Sequence, residues 1–169
     1  EIAMNREDTT EWVFAYGSNL HIPDLRGWLR HYGYSDQGII QVIPARLGDY
    51  ELVWNYYSPV RKGGAANVRP AKGSHVLGAL LEITPDTLPG IDKKEGHPAR
   101  YCRGENRVCV NAIYDKKSYA AWVYEVKPAY QTPEPTAPTQ TYLDIMLDGI
   151  QQIGLEASWS KEVKRGIPK

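Results

Sequence analysis

The sequence contains the stretch Val13-Phe14-Ala15-Tyr16-Gly17-Ser18-Asn19-Leu20, in which aromatic and β-branched residues run into three residues that favour turns. The run predicts a strand over residues 11–16, and Gly17-Ser18-Asn19 predict the tight turn that ends it. Pro23 suits the first turn of a helix, which we expect to continue to about Arg30. A turn between a strand and a helix directs backbone N–H groups to one side, where they can hold a carboxylate or an oxyanion.

Taken alone, the turn at Gly17 is more often structural than functional, because Gly, Ser and Asn are the ordinary residues of turns. The functional interpretation is that Gly17 permits a positive φ or a close approach, while Ser18 and Asn19 add polar side chains. The stretch lacks the glycine pattern of dinucleotide-binding sites and the Gly-Lys-Ser/Thr of P-loops. It therefore argues against a bound nucleotide phosphate.

The rest of the chain predicts strands interspersed with helices, with turns at residues 47–49 and 70–73 and an extended, proline-rich connection over 128–138. The predicted strands are 11–16, 39–43, 50–54, 76–83, 102–113 and 118–126, and the predicted later helices are 84–94, 139–153 and 158–164. Because strands and helices do not alternate regularly, the pattern argues against a doubly wound sheet. It predicts an α+β fold, either a compact mixed sheet or a small barrel of about six strands with flanking helices.

The composition is that of a folded protein with balanced charge: 169 residues carry 20 basic and 20 acidic side chains. This length fits a single domain over residues 1–169, in which residues 1–10 are polar and expected to be loose. The charge balance gives no footprint for nucleic acid, and we expect no membrane span. Cys102 and Cys109 form no metal-binding pattern, so we expect no metal site and a reducing, cytoplasmic location. A monomer and a homodimer are both compatible with the sequence.

The stretch Asp92-Lys93-Lys94-Glu95-Gly96 places an acid at the C-terminal end of a predicted helix, where its charge opposes the helix dipole. A lone glutamate is most often a solvated surface residue. In a cavity, desolvation would instead raise the pKa of Glu95 toward the value that a general base requires. Tyr101 and Tyr142, each taken alone, are core residues more often than site residues, and His97 lacks a matching nucleophile.

Together these segments resemble the γ-glutamylcyclotransferase superfamily, which includes γ-glutamylamine cyclotransferases and AIG2-like proteins. The similarity covers about residues 12–155, and the matching pieces run in family order. They are residues 13–20, Gly63-Gly64, residues 76–83, residues 91–96, Tyr142, Gly149 and Gly154-Leu155. A Tyr-Gly-Ser-Asn-Leu turn followed some way downstream by Asp-x-x-Glu-Gly is a fairly specific combination.

The resemblance implies a small mixed β-barrel with helices packed around it, and an enzyme that uses neither a cofactor nor a metal. It implies that Glu95 is the catalytic acid and base. The implied reaction releases 5-oxoproline from a γ-glutamyl amino acid or peptide, as the substrate's α-amino group attacks its γ-carbonyl carbon. The implied substrate-binding residues are Tyr16, Gly17, Ser18, Asn19, Leu20, Tyr101 and Tyr142.

The expected partner is a small-molecule γ-glutamyl substrate, whose leaving side we expect the loops over residues 56–62 and 128–138 to select. One alternative is a sister enzyme that acts on γ-glutamylamines or on a γ-glutamyl-protected biosynthetic intermediate. Another is a non-catalytic binding module on the same fold, although such a protein would not need Glu95.

Overall fold

The computed structural model describes residues 10–169, so the expectation of a loose N-terminus falls almost wholly outside the described residues. The described chain contains seven strands and four α-helices, and no helix among these residues is long and apolar enough to cross a membrane. The strands are β1 (Glu11–Ala15), β2 (Ile39–Ser58), β3 (Gly63–Ile83), β4 (Tyr101–Cys102), β5 (Val108–Ala112), β6 (Ser118–Ala121) and β7 (Glu125–Val126). The helices are α1 (Ile22–His31), α2 (Leu88–Glu95), α3 (Gln140–Ile153) and α4 (Ala157–Arg165).

The main sheet has five strands in the order β1-β3-β2-β5-β6, and each neighbouring pair is antiparallel. The short strands β4 and β7 form a second, two-stranded sheet. This arrangement confirms the predicted α+β class. Helix α3 packs against the turn that follows β1 and against β2 and β3, which places the predicted site residues of the turn between the sheet and the helices.

The main sheet is open, so the barrel implied by the family resemblance is incomplete. Its two edges meet at one point, where Trp122 forms a parallel bridge with Val13. The Phe14 amide donates to the Trp122 carbonyl at 2.9 Å, and the Trp122 amide donates to the Trp12 carbonyl at 2.9 Å. Because β6 ends at Ala121, these bonds do not extend into a ladder, and the sheet is curved without being closed.

The two long strands β2 and β3 correct the predicted turns at residues 47–49 and 70–73. Both segments lie within one antiparallel ribbon, in which the pairing register shifts between Gly48 and Tyr50. Asp49 has a φ of 59°, and its side chain accepts a 3.0 Å hydrogen bond from the amide of Gly73, whose φ is 85°. The two sets of turn residues face each other across an irregular part of the ladder, so the chain bends there without leaving the sheet.

The other differences are in where elements begin and end. Helix α2 starts at Leu88 rather than Thr84, because residues 84–87 form a separate turn closed by the Thr87 amide and the Thr84 carbonyl at 3.0 Å. The predicted strand over 102–113 is divided into β4 and β5, and the one over 118–126 into β6 and β7. The proline-rich segment contains one 3₁₀ turn, Pro128–Tyr130. It runs beside β2, where the Thr136 amide donates a 2.8 Å hydrogen bond to the Trp54 carbonyl.

Helix α3 lies close to the turn that follows β1, and a glycine makes this approach possible. A Cβ atom at Gly149 would lie 2.6 Å from the carbonyl carbon of Leu20 and 2.7 Å from the amide nitrogen of His21. Both neighbours are backbone atoms, which cannot rotate away. A side chain at position 149 would therefore push α3 away from the turn or displace the turn itself.

We expect Gly149→Ala to destabilise the protein by about 1–3 kcal/mol, because the added methyl group overlaps this backbone. The matched control is Gly27→Ala in α1, where an added Cβ meets nothing within 4 Å. That change should stabilise the protein by about 0.5–1 kcal/mol through helix propensity alone. Urea unfolding of both variants checks the pair, and equal effects of the two substitutions would contradict the close contact.

Candidate active site

A cavity of about 380 Å³ opens where the turn after β1 meets the end of α2. Its wall comprises residues 14–19, the end of β2 and the start of β3, residues 93–96 of α2 and its cap, and several tyrosines. Seven of the eight predicted site residues line this cavity. They are Tyr16, Gly17, Ser18, Asn19, Glu95, Tyr101 and Tyr142.

The eighth predicted residue, Leu20, does not line the cavity, so its assignment as a substrate contact is corrected. Its side chain is fully buried in the core, where its backbone adjoins Gly149 of α3. Its amide is also engaged, since it donates to the Gly17 carbonyl at 3.1 Å. Leu20 therefore anchors the turn instead of facing a ligand.

The turn after β1 is a short 3₁₀ helix, Ser18–Leu20, closed by bonds from Leu20 to Gly17 and from His21 to Ser18. Within residues 10–169, the amides of Gly17 and Asn19 donate no hydrogen bond to the protein. Gly17 allows a close approach, not a positive φ: its φ is −114°, and a Cβ there would lie 2.8 Å from the Tyr142 hydroxyl. The turn thus offers amide donors beside a wall of the cavity.

Glu95 is the last residue of α2, and Gly96 ends the helix in the left-handed conformation with a φ of 69°. The predicted helix end and its cap are therefore confirmed. The Asn19 side-chain amide donates to one carboxylate oxygen of Glu95 at 2.7 Å. This bond brings the acid directly against the turn, and both residues line the cavity.

Lys94 is nearly buried, with only 5% of its side chain exposed, and it fixes the amide of Asn19. Its ammonium group donates to the Asn19 side-chain oxygen at 2.5 Å and to the Ser18 hydroxyl at 3.3 Å. Because the oxygen of the Asn19 amide faces a cation, its NH₂ group must face Glu95. Lys94, Asn19 and Glu95 thus form a continuous chain of hydrogen bonds, in which Lys94 donates to Asn19 and Asn19 donates to the Glu95 carboxylate.

Burial raises the pKa of the Glu95 carboxyl above its usual value. The charge of Lys94, the hydrogen bond from Asn19 and the charge of Arg61 each act in the opposite direction and lower it. Burial lowers the pKa of Lys94, against the nearby charge of Glu95. The balance favours a carboxyl that can both release and accept a proton nearer to neutral pH than an exposed glutamate.

Five tyrosines line the cavity, and the hydroxyl groups of the three predicted site tyrosines are held by backbone atoms. The Tyr16 hydroxyl donates to the Tyr124 carbonyl at 2.6 Å, and the Tyr101 hydroxyl donates to the Ala66 carbonyl at 2.7 Å. The Tyr142 hydroxyl accepts from the Ala66 amide at 3.1 Å. Burial raises the pKa of Tyr142 to about 12, so its hydroxyl is neutral near pH 7.

A second set of contacts holds the end of α2 in place. Arg103 donates to both oxygens of Asp92 at 2.9 and 3.1 Å, and the Tyr124 hydroxyl donates to Asp92 at 2.5 Å. His97 accepts from the Arg103 amide at 3.3 Å and does not line the cavity. These contacts fix the helix end that carries Glu95, and they give His97 a structural position.

Sequence reasoning missed Lys94 and Arg61 as cavity residues. Lysine is rarely buried without a partner, and nothing in the sequence indicates that Asn19 and Asp24 supply one. Arg61 lies within the loop that we expected to select the leaving side, but its direction depends on the turn between β2 and β3. Tyr124 was also missed, because it falls inside a segment predicted to be a plain strand.

Solved structures of three proteins show the same fold as this chain. A γ-glutamyl cyclotransferase is 21% identical, with a TM-score of 0.75, and the match covers 95% of this chain and 89% of that one. An uncharacterised human protein is 24% identical, with a TM-score of 0.75 and coverage of 96% and 90%. A yeast γ-glutamyl cyclotransferase described as specific to glutathione is 12% identical, with a TM-score of 0.60 and coverage of 95% and 98%.

The fold is therefore that of the γ-glutamyl cyclotransferases. The family model described as gamma-glutamyl cyclotransferase, AIG2-like, matches residues 13–144, and this chain belongs to that family. No curated protein sequence matches the chain significantly.

We expect Lys94→Met to raise the pKa of Glu95 further, because the substitution removes the nearest charge that favours the ionised carboxylate. The measurement is a pH titration of the Glu95 carboxyl ¹³C signal, assigned with Glu95→Gln. Lys93→Met is the matched control, since the Lys93 ammonium lies 5.0 Å above the Tyr32 ring and should leave this pKa nearly unchanged. A pKa that stays the same or falls in Lys94→Met would contradict this electrostatic balance.

Proposed function

We propose that this chain converts a γ-glutamyl compound to 5-oxoproline and the released amine, with Glu95 as general acid and base. The observation that supports this most is the shielded carboxyl of Glu95, which is hydrogen-bonded to Asn19 in the wall of a cavity bordered by the amides of the turn. Small-molecule sites commonly have volumes of about 300–1,000 Å³, so a cavity of about 380 Å³ can accommodate a curled glutamyl chain.

The reaction begins when the substrate's α-ammonium group gives up a proton to Glu95. The freed amine nitrogen then attacks the γ-carbonyl carbon and closes a five-membered ring, and the carbonyl oxygen becomes an oxyanion. Nucleophile and electrophile belong to one molecule, so little entropy is lost in bringing them together. The role that we propose for Tyr16, Tyr101 and Tyr142 is to hold the glutamyl chain in this curled conformation.

The tetrahedral intermediate collapses as the bond between the γ-carbon and the leaving nitrogen breaks. Glu95 gives its proton to that nitrogen, and as a carboxylate it then takes the second proton from the ring nitrogen and passes it to the leaving amine, so the carboxylate that began the cycle is regenerated. The α-ammonium group loses two protons in all, and an amine released as an ammonium ion gains two. Atoms and charge therefore balance, and the step needs neither water nor a redox partner.

The amides of Gly17 and Asn19, which donate to no group within residues 10–169, are the donors that we propose for the substrate's charged oxygens. Preorganised amides of this kind stabilise a developing oxyanion by roughly 3–4 kcal/mol per donor where this has been measured. Asn19 contributes in a second way, because its side chain holds Glu95 through the 2.7 Å bond. One residue thus connects the proton-transferring group to the amide donors.

Glu95→Gln should lower the rate of 5-oxoproline formation by about 10²–10⁴-fold, because the amide cannot transfer a proton. The substitution keeps an oxygen that can accept from Asn19, so we expect the fold and substrate binding to be retained. The assay is chromatographic detection of 5-oxoproline from a panel of γ-glutamyl amino acids, peptides and amines. Glu105→Gln, an exposed substitution away from the cavity, is the matched control.

Near wild-type turnover in Glu95→Gln would remove the proposed mechanism. Calorimetry with the wild-type protein distinguishes the binding-module alternative. Binding of γ-glutamyl compounds without 5-oxoproline formation would show that the cavity holds the ligand but does not transform it.

A further inference from the structure

Arg61 lies in the tight turn between β2 and β3, at the mouth of the cavity. Its neighbour Val60 is 89% exposed, whereas the Arg61 side chain is half-buried and lines the cavity wall. The Arg61 amide donates to the Ser58 hydroxyl at 3.1 Å, which fixes the turn from within. The turn therefore directs the Arg61 side chain toward the cavity, while Val60 at the tip of the turn faces solvent.

The guanidinium group of Arg61 lies over the ring of Tyr142, with its central carbon 5.5 Å from the ring centroid. The hydroxyl end of the same ring adjoins Gly17, where a Cβ atom would lie 2.8 Å from the Tyr142 oxygen. Tyr142 thus lies between the turn and Arg61. Its hydroxyl is beside Gly17, and the face of its ring packs against the Arg61 guanidinium group. A ligand head group held at Gly17 would have its distal end near Arg61.

The cavity wall carries more positive than negative charge. Its basic residues are Arg61, Lys93, Lys94 and Arg100, and its acidic residues are Asp24 and Glu95. Lys94 is satisfied by Asn19, Ser18 and Asp24. Arg61, by contrast, forms no ion pair with any carboxylate among residues 10–169. An arginine fork that faces a cavity without a carboxylate partner is suited to an anionic ligand group.

In the proposed reaction, the substrate's two ends lie on opposite sides of the scissile bond. The amino-acid head must lie by Glu95 and the amides of the turn, because its nitrogen gives a proton to Glu95. We place the leaving nitrogen on the side away from the closing ring, toward the mouth of the cavity, because the head group occupies the side of Glu95 and the turn. Of the two ends, it is the leaving group that approaches the turn between β2 and β3.

We propose that Arg61 binds a carboxylate on the leaving group and so selects γ-glutamyl compounds whose leaving amine is an amino acid over those whose leaving amine is neutral or cationic. This inference rests on the proposed function and adds to it a specificity-determining residue. The guanidinium group donates two parallel hydrogen bonds to the carboxylate, a geometry that a lysine cannot reproduce.

The test compares γ-glutamylalanine with γ-glutamylalaninamide, which differ only in that a carboxylate is replaced by an amide. We expect the wild-type protein to prefer the carboxylate substrate by about tenfold to a hundredfold in kcat/KM, as expected for a hydrogen-bonded charge pair. Arg61→Met should abolish this preference, because activity on γ-glutamylalanine should fall further than activity on γ-glutamylalaninamide, while the effect of the lost charge on the pKa of Glu95 is common to both substrates. Arg61→Lys should retain part of the preference. Lys161→Met, an exposed charge loss on α4, is the control and should leave the preference unchanged.

Equal losses on both substrates in Arg61→Met would overturn the inference, because Arg61 would then bind the shared glutamyl head. An unchanged preference in that variant would overturn it as well. Calorimetric binding of the same two compounds to Glu95→Gln, with and without Arg61→Met, tests the inference independently of turnover. A binding preference that depends on Arg61, in a protein whose wild-type form makes no 5-oxoproline, would uphold this inference and reject the proposed function. Absence of binding of both compounds would overturn both.

Discussion

The hydrogen bond from Asn19 to Glu95 joins two segments that are 76 residues apart in the chain. On one side is the turn that ends β1, and on the other is the last residue of α2. An ionised carboxyl at this depth is costly to hold in place without a donor. The bond therefore holds the end of α2 against the turn, and the cavity lies where these two segments meet.

Lys94 and Asp92 show how this bond is maintained from both sides. Lys94 holds the oxygen of the Asn19 amide, so that its NH₂ group is directed to Glu95. Asp92, one helical turn before Glu95, is held by Arg103 and Tyr124, which belong to the segments around β4 and β7. Glu95 is thus positioned indirectly, by residues that hold Asn19 and Asp92 in place, and no single hydrogen bond fixes the end of α2.

Local chemistry explains which parts of this structure were predictable from sequence. The turn at Gly17, the helix end at Glu95 and the glycine cap after it follow from residues adjacent in the chain, and the structure has all three. The turns predicted at residues 47–49 and 70–73 did not separate strands, because pairing across the ribbon outweighed local turn preference. Neighbouring residues could likewise not predict that the sheet stays open, because this depends on where β6 ends relative to β1.

The buried position of Lys94 illustrates the limit most clearly. Its sequence context is two adjacent lysines before an acid, which is typical of a solvated helix surface. Only the tertiary contact with Asn19, Ser18 and Asp24 makes its burial possible. For Arg61 the sequence indicated the loop, since we expected residues 56–62 to select the leaving side of the substrate. The direction of the Arg61 side chain could not be predicted, because the ribbon of β2 and β3 sets it.

The position of β1 within the sheet has a consequence for how the chain reaches its native state. β1 is the first described strand, yet its partners are residues 79–83 of β3 on one side and Trp122 on the other. A nascent chain cannot complete this strand until about 110 further residues have been synthesised, as the numbering from Val13 to Trp122 shows. Such distant pairings slow folding, and the cavity beside β1 cannot be complete before they form. A shortened chain that ends before Tyr142 would lack part of the cavity wall.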